Sequence, residues 1–250
     1  MDIRELVNYL DDYLGLRSIP DYKGAFNGLQ VDGPPTIQRV AVAVDACQAT
    51  IDEAVIDNID LMIVHHGLFW APSAPITGRI HKKLAALIKN DIALYSCHLP
   101  LDAHPEVGNN HVLARQLGLV PSGSFGEFEG VPIGVTAEAE MTRDEFVRRV
   151  QETLKVNPLV IAAGPPALRR IGILTGGGGS LIGSAMAASL DMYLTGEGAH
   201  HTYFDAEEAG INVVYAGHYA TETVGVKALG EHLKQRFGLE VTFVDHPTGL

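Results

Sequence analysis

The chain is poor in the features that mark secreted, membrane-bound or nucleic-acid-coating proteins. Its 250 residues include only two cysteines, Cys47 and Cys97, and they form no C-x-x-C pair. That count excludes a disulfide framework and a thiolate zinc knot, and it reads as two buried thiols in a reducing compartment. No apolar run approaches the roughly 18 residues that a membrane span needs, so no membrane partner is expected. The opening Met1-Asp2-Ile3-Arg4-Glu5 reads as the start of an amphipathic helix and not as a signal peptide. A cytoplasmic location follows as the expectation. Positive charge is also scarce: 18 Lys and Arg face 30 Asp and Glu, for a formal net charge of −12. A phosphate backbone is gripped by clustered Lys and Arg, so nucleic acid is disfavoured as a partner, although a locally basic groove stays open.

What the chain does have is a hydrophobic share of 46% with 19% charged residues, enough to build a core without staples. It also has an internal echo. Arg39-Val40-Ala41-Val42-Ala43-Val44-Asp45, a helix-length segment from Ala49 to Asn58, and Asp60-Leu61-Met62-Ile63-Val64-His65-His66-Gly67 form one strand–helix–strand block. Arg170-Ile171-Gly172-Ile173-Leu174-Thr175, Ser180 to Ser189, and Asp191-Met192-Tyr193-Leu194-Thr195-Gly196-Glu197-Gly198 form another. Arg39 and Arg170, Asp60 and Asp191, and Gly67 and Gly198 all lie 131 positions apart. Further on the offset changes to 120, as between His98 and His218 and between Asp102 and Glu222. Such self-similarity indicates an internal duplication. The expected fold class is α/β: two similar α/β domains, residues 1–125 and 126–250, divided at the Gly-, Ser- and Pro-rich stretch Gly123 to Gly130. Apolar strands alternating with helices imply mostly parallel sheets covered by helices.

In such sheets chemistry collects at the carboxyl ends of strands. There the sequence places His65-His66 after Leu61-Met62-Ile63-Val64, Asp102 after Leu94-Tyr95-Ser96-Cys97-His98, and His218 with Glu222 after Val213-Val214-Tyr215. Adjacent histidines at a strand end point to opposite sides of the chain and could each serve a different ion. Pro100 argues against an ordinary helix through the loop bearing Asp102. His218 and Glu222 are spaced for one face of a helix start, with Thr221 or Thr223 as a cap. Three imidazoles and two carboxylates make a mixed N/O set suited to Zn, Fe or Mn. Five ligands exceed what one catalytic ion with an open position takes. A bridging carboxylate would let them serve two ions about 3.5–4 Å apart.

These residues bring the chain to a known family. Met62-Ile63-Val64-His65-His66-Gly67-Leu68-Phe69-Trp70, His98-Leu99-Pro100-Leu101-Asp102-Ala103-His104-Pro105 with Gly108-Asn109-Asn110, and Gly217-His218-Tyr219-Ala220-Thr221-Glu222 closely resemble the YbgI branch of the NGG-one-interacting-factor-three-like family. Its members are often labelled GTP cyclohydrolase I type 2 homologues. The resemblance spans essentially the whole chain. It implies two divalent metal ions per chain at the inter-domain cleft, ligands His65, His66, Asp102, His218 and Glu222 with Glu222 as bridge, and a toroidal homohexamer.

Other residues extend the site. His98 could orient a ligand or move a proton, and Glu197, which sits where His66 sits in the first half, could carry one too. Gly176-Gly177-Gly178-Gly179 joins a strand to a helix and could cradle a phosphate or mark close packing of two chain segments. Phe69 and Trp70 could stack on a base. His104 is expected at the surface, and His200-His201 at a helix start. The expected function is a metal-dependent hydrolase acting on a small nucleotide-like or phosphorylated substrate, with GTP ring opening as one version. The alternative is a non-catalytic metal-binding ring for storage, delivery, or nucleic-acid or protein binding.

Overall fold

The structure, a computed structural model, describes residues 1–70 and 75–250. Its order begins α1 (Ile3–Tyr13), β1 (Gly28–Val31), β2 (Arg39–Asp45), α2 (Gln48–Ile56), β3 (Leu61–His66), α3 (Gly78–Lys89), β4 (Ala93–Ser96) and α4 (Leu99–Ala103). It continues α5 (Asn109–Gln116), β5 (Pro121–Phe128), β6 (Val131–Thr142), α6 (Arg143–Leu154), β7 (Leu159–Ala162) and β8 (Ala167–Ile173). A one-turn 3-10 helix (Gly178–Leu181) leads into α7 (Ile182–Ala187), β9 (Met192–Thr195), α8 (His201–Ala209), β10 (Asn212–Tyr215), α9 (His218–Phe237) and β11 (Glu240–Phe243). Two compact units result: Met1–Val107 with Gly225–His246, and Gly108–Val224 with Pro247–Leu250.

The first unit carries a sheet ordered β1-β4-β3-β2-β11, parallel except for the antiparallel edge strand β1. Val40 to Val44 are all buried, as a strand covered on both faces requires. Ala41, Ala43, Met62, Val64 and Leu94 pack with Ile51 and Ala54 of α2 and Leu84 and Leu87 of α3. On the other face, a side chain at Gly230 of α9 would meet Val42 and Val241, so the helix lies close on β2 and β11. Each fully buried aliphatic side chain in such a core contributes about 1.5–3 kcal/mol relative to exposure. Asp2 caps α1 by accepting from the Arg4 and Glu5 amides, consistent with the helix start read from the sequence.

The second sheet, β5-β6-β8-β9-β10-β7, keeps a parallel centre of β8, β9 and β10 and adds antiparallel partners on both sides. It is therefore mixed. The stretch Gly123 to Gly130, at which the halves were divided, lies in edge strand β5 and the turn after it, and residues 125 and 126 fall inside that strand. Glu129 and Gly130, at φ 48° and 84°, turn it directly into β6. Two consecutive left-handed residues match the twist of a tight hairpin.

The echo seen in the sequence is repeated in hydrogen bonds within each unit. Asp60 Oδ2 accepts from the Gln38 and Arg39 amides, and Asp191 Oδ2 accepts from the Arg169 and Arg170 amides. Asn58 and Ser189, 131 apart, are both left-handed, at φ 50° and 53°. β3 pairs β4 with Leu61 opposite Ala93, and β9 pairs β10 with Met192 opposite Asn212. That last pairing corresponds to an offset of 119, one less than His98 to His218. The register thus shifts twice, and Gly217 (φ 93°) is the extra residue before His218.

Among the described residues, no helix is long and apolar enough to cross a membrane. His104, expected at the surface, is buried. Its Nε2–H donates to the Tyr13 carbonyl while Nδ1 accepts from the Glu106 and Val107 amides, so it fastens the end of α4 to α1. Burial holds its pKa below the usual histidine value. Nearby His232 of α9 stacks on Tyr13 at 4.3 Å, and burial likewise lowers its pKa. Arg236 lowers it further, while Glu106 opposes. A group whose folded pKa is depressed contributes stability that is present above its unfolded pKa near 6.5 and lost as pH falls. Between pH 7 and pH 5 the wild type should therefore lose melting temperature relative to His232→Gln; equal slopes by calorimetry would remove His232 from the account.

Candidate metal centre

The first unit assembles its donors at the carboxyl ends of β3 and β4. His65 and His66 end β3, and His98 follows β4 and precedes α4. Side chains alternate along a strand, yet these two rings do not diverge: their centroids lie 4.6 Å apart. His98 joins them at 5.0 Å from His65 and 5.6 Å from His66. One ligand atom from each of the three falls within 4.8 Å of the others. Asp102 adds a carboxylate, its Oδ2 3.5 Å from His65 Nε2, with both groups buried.

Each of these rings has one nitrogen committed elsewhere. His65 Nδ1 lies 3.0 Å from the Cys97 carbonyl. A carbonyl only accepts, so Nδ1 carries the hydrogen and the lone pair of the neutral ring sits on Nε2. His66 Nδ1 is 2.9 Å from Asp45 Oδ1, and His98 Nδ1 is 2.8 Å from Asp21 Oδ1. The same carboxylate or carbonyl brace is what fixes the tautomer of metal-ligating histidines and raises their basicity. Asp21 is buried deeply enough to disfavour its charge, but hydrogen bonds and charge from His98, with Asn27 and the Tyr22 amide, hold its pKa below the usual range. Asp21 also accepts from the Leu99 amide, and Asn27 accepts from the His98 amide, so residues 21–27 are stitched onto the histidine.

Pro100 does not keep Asp102 off a helix. It occupies the first turn of α4, where its missing N–H costs nothing, and Asp102 faces the site from that turn. The nearby Cys97 thiol is fully buried, and burial pushes its pKa well up.

The second unit presents His218 and Glu222 from the start of α9. His218 Nε2 lies 3.1 Å from Glu222 Oε1, and its Nδ1 lies 2.9 Å from Glu197 Oε1. Glu222 is buried. The hydrogen bond to Glu222 is the largest influence on the His218 pKa; burial opposes it, and the charges of Glu222 and Glu197 add to it, pushing the value up to about 9. A cation at Nε2 would have to displace that proton, so metal binding here is expected to release one. The neighbouring threonines are not caps. Thr221 Oγ1 donates back to the Gly217 and His218 carbonyls, and Thr223 Oγ1 to that of Ala220.

The glycine run supports the carboxylate from beneath. Gly176 is left-handed at φ 69°, and a Cβ on it would overlap the Glu222 carboxylate. A Cβ on Gly196 would sit 2.6 Å from the Gly176 oxygen and 2.7 Å from His218 Cα. Three of the four amides of the run are already used: Gly176 donates to Thr221 Oγ1, Gly178 to Thr195 Oγ1 and Gly179 to the Glu197 carbonyl. Close packing accounts for Gly176, Gly178 and Gly179, whose amides are committed, whereas a Cβ on Gly177 would make only ordinary contacts, 3.7 Å from His218 Cε1. His200 and His201 do begin a helix, α8.

Around His98 stand two exposed aromatic rings. Trp70 meets it edge-on at 4.8 Å and Tyr22 lies 5.8 Å away. Phe69 instead packs against the core. No signal in the sequence marks Asp21 or Tyr22. Asp45 had one to give, because it ends β2 directly opposite His66 in the parallel register.

The fold is a duplicated α/β scaffold whose strand ends carry histidines that could hold a metal ion, and comparison gives its family. Residues 1–249 match the family described as Duf34/NIF3 (NGG1p interacting factor 3), and the chain belongs to that family. It is 42% identical to the "GTP cyclohydrolase 1 type 2 homolog" of Deinococcus radiodurans over 248 residues, covering 98% of this chain and 94% of that protein. It is 44% identical to the protein of the same name from Pseudomonas aeruginosa, covering 97% and 96%. Among solved structures, ybgI, described as of unknown function, superposes with a TM-score of 0.93 at 40% identity, covering both chains completely. TTHA1606 from Thermus thermophilus does so at 0.91 and 43%, also with complete coverage of both.

Proposed function

We propose that the chain holds two divalent ions, drawn from Zn, Fe or Mn, on His65, His66, Asp102, His218 and Glu222, with Glu222 as the bridge. We read it as a metal-dependent hydrolase for a small nucleotide-like or phosphorylated substrate, with GTP ring opening as one version, working as a homohexamer. One observation carries the reading: in the first unit and in the second, histidines at strand ends have Nδ1 taken by a carboxylate or carbonyl, which makes Nε2 the nitrogen that would ligate a cation. The name shared by the relatives supports the choice of GTP as the first substrate to try.

When bound, such ions supply Lewis acidity and a water-derived nucleophile at neutral pH. The rest falls to the chain's own residues. Asp45 and Glu197 hold His66 and His218 in orientation. Glu197, half exposed, can pass a proton between His218 and solvent. Trp70 and Tyr22 offer faces on which a purine can stack, a contact worth about 1–3 kcal/mol. Phosphate must be met elsewhere than on the committed amides of the glycine run.

Metal-loaded protein incubated with a nucleotide panel that includes GTP should turn over at least one member, and Glu222→Ala should lose roughly a thousandfold or more in rate, as for a ligand on which charge stabilisation depends. Ions bound with no turnover across the panel would instead favour a ring that stores or delivers metal.

A further inference from the structure

His218 and His98 occupy equivalent places in the two repeats, 120 positions apart, each shortly after the third parallel strand of its repeat, β10 for one and β4 for the other. Each has its Nδ1 on a carboxylate, Glu197 for His218 and Asp21 for His98. Each is followed four residues later by an acidic side chain, Glu222 or Asp102. If one of the pair is a ligand, the same construction equips the other.

We propose that His98 is a third imidazole donor in the first unit, so that His65, His66 and His98 hold one divalent cation there by themselves, with Asp21 as the positioning residue. This deepens the two-ion reading above and adds a donor to it. The three ligand atoms lie within 4.8 Å of one another. Tetrahedral zinc with Zn–N of 2.0–2.1 Å needs its nitrogens about 3.4 Å apart, so rotation of the rings has to close at most about 1.4 Å. Three imidazoles with a remaining position open to water are the donor set of catalytic zinc. A nitrogen that binds a cation is not available to carry a proton, so this role replaces proton transfer for His98. Asp21 acts through the ring: it takes the Nδ1 hydrogen, and through Leu99 and Asn27 it ties the ring's own backbone in place.

The test uses the full chain with His218→Ala and Glu222→Gln combined, titrated with Co2+. One ion per chain is expected, with three imidazoles counted by X-ray absorption at the cobalt edge. Adding His98→Gln should weaken Co2+ by about a hundredfold and lower the count to two, and Asp21→Asn should weaken it about tenfold, within the range for residues that brace a ligand. Unchanged affinity and an unchanged imidazole count in His98→Gln would overturn the proposal. Should the double variant fail to fold, the same comparison is made between wild type and His98→Gln, where the count must fall for the proposal to stand. The two-ion reading fails separately: a wild type that binds a single ion, indifferent to Glu222→Ala, defeats that reading and leaves the three-histidine site intact.

Discussion

His65→Ala should bring the metal content of the purified protein from near two ions per chain to one or fewer. The ring is completely buried, carries its lone pair on Nε2, and lies 3.5 Å from Asp102. Removing it takes a donor from the centre and leaves the Cys97 carbonyl without its N–H. A buried acceptor left unsatisfied costs about 1–3 kcal/mol, and the cavity adds to that. His65→Gln separates the two effects, because an amide can still donate to the Cys97 carbonyl while offering a poorer metal ligand. Elemental analysis beside a melting curve gives the answer. Two ions retained in both variants would sink the assignment of His65.

Gly196→Ala is expected to be nearly as damaging, although it removes nothing. The added methyl group would meet main-chain atoms, the Gly176 oxygen at 2.6 Å and His218 Cα at 2.7 Å. Backbone cannot rotate aside as a flexible side chain can. Either the strand β9 end or the start of α9 must move, and both outcomes displace His218 from Glu197. Overpacking of this kind costs about 3 kcal/mol at its upper end, or roughly 6–12 °C in melting temperature for a chain of this length. Gly183→Ala is the control, since a Cβ there meets nothing within 4 Å. Calorimetry showing the same melting temperature for both would mean that the loops have more room than the close approach implies.

Much of this architecture could be read from the chain because it is written twice. Strands buried on both faces show as unbroken apolar runs, and a 131-residue offset carries strand, helix and strand together, down to the paired roles of Asp60 and Asp191. The ligand candidates were legible for the same reason: strand ends are where such sheets place chemistry. What escaped was set by contacts distant in sequence. Asp21 sits in an irregular segment with no periodicity, and only folding brings it to His98, 77 positions away. Residue type alone hides the hairpin edge that Gly and Ser help build at β5, and it misled at Pro100, where position within a helical turn matters more. The glycine run was ambiguous in sequence because tight packing and anion binding ask for the same absent side chain. At Gly176, Gly178 and Gly179 the amide partners decide for packing.

The three histidines of the first unit are not equally exposed to mutational drift. His66 and His98 depend on side chains, Asp45 and Asp21, and a single codon change at either position releases a ring. His65 leans on the main chain of residue 97, which every amino acid supplies. The cysteine there can be exchanged without erasing that brace, so variation at position 97 should be tolerated on grounds of core volume alone, while positions 21 and 45 are held to an acceptor.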